Sequence, residues 1–153
     1  MKARILLFAL LVPVIVFAEN LFTNSSMDTT GGWQGDRRFE TIEDNKVAVL
    51  EAKKNRTVSF SQDVDTRNAT DLVLKLRYKT ADYAGRGLQL RGSRPGSGST
   101  ISTRQLKADD QWHDMTWAFS EVRKSNRVKF EIELLEGTGK VFFDDVTVEA
   151  KQP

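Results

Sequence analysis

The stretch from Leu72 to Thr80 constrains the fold of this chain more than any other. Leu72, Leu74, Leu76 and Tyr78 fall on one side of an extended backbone, and Lys75, Arg77 and Lys79 fall on the other. That alternation is the period of a strand with one buried and one wet face. An amphipathic helix would instead repeat its apolar residues every three or four positions. The same period returns in 114–120, where Met115, Trp117 and Phe119 share a side. It returns again in 127–135, where Val128, Phe130, Ile132 and Leu134 alternate with Lys129, Glu131 and Glu133. Further strands are expected over 46–52 (Val47 and Val49 on one face), 57–64, 88–91, 102–106 and 140–149, with short extended pieces at 20–24 and 39–42. Gly137-Thr-Gly139 reads as a tight turn that folds 127–136 against 140–149 as a hairpin. The polar stretch 122–126 suits a helical turn or a loop. Gly92 to Ser99 has the composition of a flexible surface loop. Many short strands, with no helix of ordinary length among them, make an all-β sandwich or barrel.

The first residues belong to a different kind of segment. Lys2 and Arg4 precede an apolar run from Ile5 to Phe17, and Val16-Phe17-Ala18 supplies small residues where cleavage is expected. The run is short for a membrane span, which needs about 20 apolar residues. The expected organisation is therefore a signal peptide over 1–18 and one domain over 19–153, secreted or periplasmic, with no membrane span once the signal is removed. The whole chain has 23 Lys and Arg against 21 Asp and Glu; without Lys2 and Arg4 the two counts are equal. A neutral balance offers no global attraction to nucleic acid, which makes it an unlikely partner. The chain has no cysteine and one histidine, His113. Thiolate chemistry is excluded, and so is a multi-histidine zinc site within one chain.

Catalysis finds little support. His113 stands alone beside a strand, and no Gly-X-Ser-X-Gly elbow occurs. The pairs Glu131 with Glu133 and Asp109 with Asp110 lie side by side on one element each and project outward, without a pocket for glycoside hydrolysis. Binding is the better expectation. Trp33, Tyr83 and Trp112 each adjoin a loop, where an aromatic ring is placed to stack on the C–H face of a sugar. The outward row of Lys75, Arg77, Lys79, Gln89, Arg91 and Arg104 suits hydrogen bonding to glycan hydroxyls. If gathered on one sheet face, it would also suit carboxylated or sulfated glycans.

Three segments together resemble a known family. Asn20-Leu-Phe-Thr-Asn-Ser-Ser-Met-Asp28 followed by Gly32-Trp33 is similar to its opening, and Trp112-His-Asp-Met-Thr-Trp-Ala-Phe119 to one of its inner strands. Val141-Phe-Phe-Asp-Asp-Val146 is similar to its closing strand. The family is the galactose-binding-domain-like jelly roll, and more narrowly the carbohydrate-binding modules of the four, nine and twenty-two group. The resemblance implies a jelly-roll β-sandwich of two antiparallel sheets that binds a polysaccharide or glycan without catalysis. It also implies a structural Ca²⁺ between the first and last strands, with Asp144 or Asp145 supplying carboxylate oxygens and Asp28 another, chemistry that suits a hard cation. Trp33 or Tyr83 would then supply the stacking and Arg77, Gln89 and Arg91 the hydrogen bonds, while Trp112, also a candidate, more often plays a structural role in that family. The alternative from another class is a protein–protein or envelope-assembly domain that keeps the fold and binds a protein partner instead of sugar.

Overall fold

The computed structural model describes residues 20–29, 31–67, 69, 71–94, 96, 98–119 and 127–150. The signal peptide expected at 1–18 and the polar stretch 122–126 lie outside the described residues. Ten strands follow in chain order: β1 (Gln34–Gly35), β2 (Arg38–Ile42), β3 (Asn45–Glu51), β4 (Val58–Asp65), β5 (Leu72–Gly85), β6 (Leu88–Ser93), β7 (Ser99–Arg104), β8 (His113–Phe119), β9 (Arg127–Leu134) and β10 (Gly137–Ala150). They form two five-stranded antiparallel sheets. The first is ordered β1-β4-β9-β6-β7 and the second β2-β3-β10-β5-β8. This is the all-β jelly-roll sandwich that the alternation and the three motifs lead one to expect. Among the described residues no helix is long and apolar enough to cross a membrane.

Alternation places the core between the sheets. Leu72, Leu74, Leu76 and Tyr78 of β5 meet Val128, Phe130, Ile132 and Leu134 of β9, with Trp117, Phe119 and Phe143 in the same cluster. Each side chain of this size contributes about 1.5–3 kcal/mol when it leaves water. β3 departs from simple alternation, because Val47 through Leu50 are all buried. Ala48 and Leu50 join the main core, while Val47 and Val49 form a small cluster with Phe142 on the opposite side of the sheet.

The expected β9–β10 hairpin is not formed, because the two strands lie in different sheets. Hydrogen bonds at the turn give the reason. Leu135 N donates to Gly87 O at 3.1 Å, and Gly137 N donates to Lys53 O at 3.0 Å. These acceptors lie in the β5–β6 and β3–β4 connections, which also pass between sheets. Three crossings are thus tied together at one end of the sandwich. β10 then pairs with β5 along nearly its whole length, from Gly137 opposite Gly85 to Ala150 opposite Leu72. Two bulges interrupt the ladder, at Thr138/Lys140 and at Asp144/Thr147. β3 accompanies β10 only as far as Phe143. Beyond that the opening segment takes its place, with Asn20 bridged to Glu149 and Leu21 N donating to Val148 O at 2.7 Å.

Candidate functional site: a polar strip across one sheet

Two of the expected stacking residues are structural. Trp33 is 4% exposed, its ring 4.6 Å from that of Phe22 and 5.2 Å from that of Phe60, and its Nε1 donates to Asn24 O at 3.0 Å. Tyr83 is 8% exposed, and its hydroxyl accepts a hydrogen bond from Gly87 N at 2.8 Å. Burial pushes the phenol pKa upward, partly offset by that backbone donor. Neither ring offers a face to a ligand, because loop composition marks a residue's place in the chain and not the direction of its side chain.

The cationic row is also divided. β5 lies in the second sheet and β6 in the first, so Lys75, Arg77 and Lys79 face away from Gln89 and Arg91. On the second sheet the charges are answered individually. Lys75 Nζ meets Glu149 at 2.7 Å, and Lys79 Nζ lies 3.9 Å from Glu43. The Arg77 guanidinium sits 4.7 Å from the ring centroid of Trp112, covering one face of the only half-exposed member of the expected aromatic trio. Beside them an open groove of about 280 Å³ is lined by Lys75, Arg77, Asp114, Met115, Thr116, Asp145 and Thr147. His113 is held by Asp109, Nε2 to Oδ1 at 2.7 Å, which lowers the carboxyl pKa of Asp109.

The carboxylates expected to supply oxygens to Ca²⁺ sit in different settings. Asp144 is buried; its Oδ2 accepts from Asn45 Nδ2 at 2.8 Å and its Oδ1 from the Asp145 amide at 2.9 Å. It stands opposite Arg77 in the β10–β5 register. Burial, and then repulsion by Asp145, raise its pKa. Asp145, in the bulge with φ at 48°, and Asp28 are exposed. Among the described residues no three His, Asp or Glu side chains gather as a metal site. The bulge frees the Val146 amide to donate to Ser25 O at 2.8 Å.

The outer face of the first sheet brings polar side chains into continuous rows. Antiparallel register sets Gln34, Ser61, Glu131, Arg91 and Ile101 side by side across β1, β4, β9, β6 and β7. The adjacent row runs Ser59, Glu133, Gln89 and Thr103. Gln89 Nε2 donates to Glu133 Oε2, and Arg91 Nη2 donates to the same carboxylate at 3.2 Å. Arg91 Nε lies 3.8 Å from Glu131, which accepts from Ser59 Oγ at 3.1 Å. The Glu133 and Glu131 side chains retain 14% and 23% of their accessibility, and Arg91 retains 30%. Partial burial strengthens these charge-assisted bonds relative to exposed pairs. Ile101, the exposed large apolar residue at 48%, flanks the strip on the edge strand. Of the residues singled out from sequence, Gln89 and Arg91 belong here. Glu131, Glu133, Ser59 and Gln34 share this face with them, and the outward alternation of 127–135 is the signal that could have singled out the glutamates.

Solved structures share this architecture. A family 61 carbohydrate-binding module in complex with β-1,4-galactotriose superposes with a TM-score of 0.65 at 14% identity, covering 88% of this chain and 100% of that one. A family 4 carbohydrate-binding module gives 0.62 at 16%, covering 85% and 99%. The family 22 xylan-binding domain of Xyn10C from Paenibacillus barcinonensis gives 0.62 at 12%, covering 89% and 97%. An exo-β-agarase matches over 25% of its own length, with a TM-score of 0.69 at 9% identity and 88% of this chain covered. No family model matches the sequence. No curated protein matches it either. At these identities the likeness is one of fold: this chain has the jelly roll of carbohydrate-binding modules.

Proposed function

We propose that the protein is a non-catalytic glycan-binding module whose ligand lies along the polar strip of the first sheet. The observation that carries this reading is the preorganised network of Gln89, Arg91, Glu131 and Glu133 across two adjacent strands. Sugar hydroxyls are both donors and acceptors, and planar carboxylates, amides and guanidinium groups match them in pairs. Side chains already held by their neighbours lose little freedom when a ligand arrives, which lowers the cost of binding. Ile101 supplies apolar contact at the flank, and Thr103 and Ser59 extend the hydrogen-bonding surface to either side. The solved structures of the same fold support the reading, since three of them are carbohydrate-binding modules.

Titration calorimetry against soluble β-glucan, xylan and galactan tests it. Gln89→Ala combined with Arg91→Ala is expected to weaken whichever glycan binds by about tenfold or more, since each lost charge-assisted bond is worth about 1.5–3 kcal/mol. Circular dichroism would show that the variant keeps its fold. Absence of binding to every polysaccharide at millimolar sugar, or equal affinity in the variant, would overturn the assignment. A protein partner is the second reading, and Ile101 on the unpaired edge of β7 is the observation that favours it.

A further inference from the structure

We infer that the Glu131–Arg91–Glu133 arrangement makes the strip a discriminator of glycan charge, binding amino sugars more tightly than neutral sugars and neutral sugars more tightly than uronates. The inference rests on the strip being the glycan site. Its basis is the charge on this face, counted over the described residues. Lys129 stands opposite Asp63 and Arg127 opposite Asp65 in the β4–β9 register, and Arg56 meets Asp36 at 3.3 Å. Those couples cancel. Arg104 of β7 falls by register on the side of Leu88, so what remains at the centre of the strip is one guanidinium between two carboxylates, a net charge of −1.

The geometry decides how that guanidinium behaves. Arg91 donates through Nη2 and Nε to Glu133 at 3.2 and 3.4 Å and has Glu131 at 3.8 Å. To bind an incoming carboxylate or sulfate it would have to release Glu133, leaving a carboxylate with 14% of its side chain accessible to lose its cation. Arg91 is therefore a positioning residue for the two glutamates and not an anion receptor. Glu131 is the less satisfied carboxylate. Ser59 Oγ donates to Oε1 at 3.1 Å, and Oε2 has only the long 3.8 Å approach of Arg91 Nε. With 23% of the side chain accessible, it has room to accept a hydrogen bond from an ammonium group on a sugar lying along the strip. A ligand carboxylate at the same place would meet like charge.

The test uses three hexasaccharides on one β-1,4-linked glucose backbone, so that only charge differs: the 2-amino form, the neutral form and the 6-carboxylate form. In calorimetry at pH 6 and low salt, each step of the series is expected to change affinity by about three- to tenfold. The spread should shrink in 0.5 M salt. Glu131→Gln with Glu133→Gln should collapse the ratio between amino and carboxylate forms, whatever it does to the neutral affinity. Binding of the three with equal affinity, or tightest binding of the uronate, would overturn the charge discrimination and leave glycan binding standing. If no hexasaccharide binds and the polysaccharide panel is also negative, both fall together. If none binds while a polysaccharide does, the series is remade on that backbone, and the ratio there upholds or overturns the inference by the same criterion.

Discussion

Asp144 shows how much a single side chain can depend on what surrounds it. It is 5% exposed, next to another carboxylate, and its pKa lies above the usual 3.8 because burial and Asp145 both oppose ionisation. The folded protein therefore holds this proton to higher pH than the unfolded chain does. Where the native state binds more protons, stability falls as pH rises, so the group costs stability above its folded pKa and costs none well below the ordinary aspartate range. Asp144→Asn removes the ionisation while leaving an oxygen to accept from Asn45 or the Asp145 amide. The variant is expected to melt a few degrees higher than the parent at pH 7, with the difference vanishing near pH 3. Paired melting curves across that range check it, and a variant that is less stable at pH 7 than at pH 3 relative to the parent would refute the account. The sequence announced the oddity of two adjacent aspartates in a strand but not its resolution. Bulge, Asn45 and Arg77 come from three separate parts of the chain.

At the scale of elements, alternation was legible and sheet assignment was not. β5 and β9 show their inward faces plainly because each has one side in the core. Period two states that a side chain points in or out, but not out of which sheet, and so Arg77 and Arg91 looked like neighbours. The turn after β9 misled for a related reason. Its two glycines suit a hairpin equally well as a crossing, and the bonds to Lys53 and Gly87 that select the crossing are non-local. Gly139 is fixed by the bulge of β10 against β5, with φ at +83° and a Cβ built there lying 2.3 Å from Asp82 O. Gly139→Ala is expected to cost about 2 kcal/mol or more, which is roughly a 6–10 °C fall in melting temperature for a domain of this size. A melting temperature within about a degree of the parent would show that the bulge at Thr138/Lys140 relaxes freely.

At the scale of the whole molecule, packing and direct backbone bonds tie the opening segment to the closing strand. The core spans both sheets, and the opening segment is bonded directly along β10 at Asn20, Leu21 and Ser25. Melting in EDTA and in millimolar Ca²⁺ is accordingly expected to give the same midpoint within about 1 °C. An ion held at a hundred times its dissociation constant would add about 2.7 kcal/mol, so a rise of roughly 5 °C or more would restore the calcium site that the motif implies. The jelly roll was legible from strand count and the three motifs. The polar strip was legible only in part, since Gln89 and Arg91 stood out as outward polar residues while Glu131 and Glu133 on β9 read as carboxylates projecting into solvent.

The pairing of Asn20 with Glu149 has a practical consequence. The two ends of the described chain leave the sandwich side by side, from the sheet that faces away from the strip. A fluorophore or an affinity handle placed at Asn20 or Ala150 would sit at the rim of the second sheet, away from the strip.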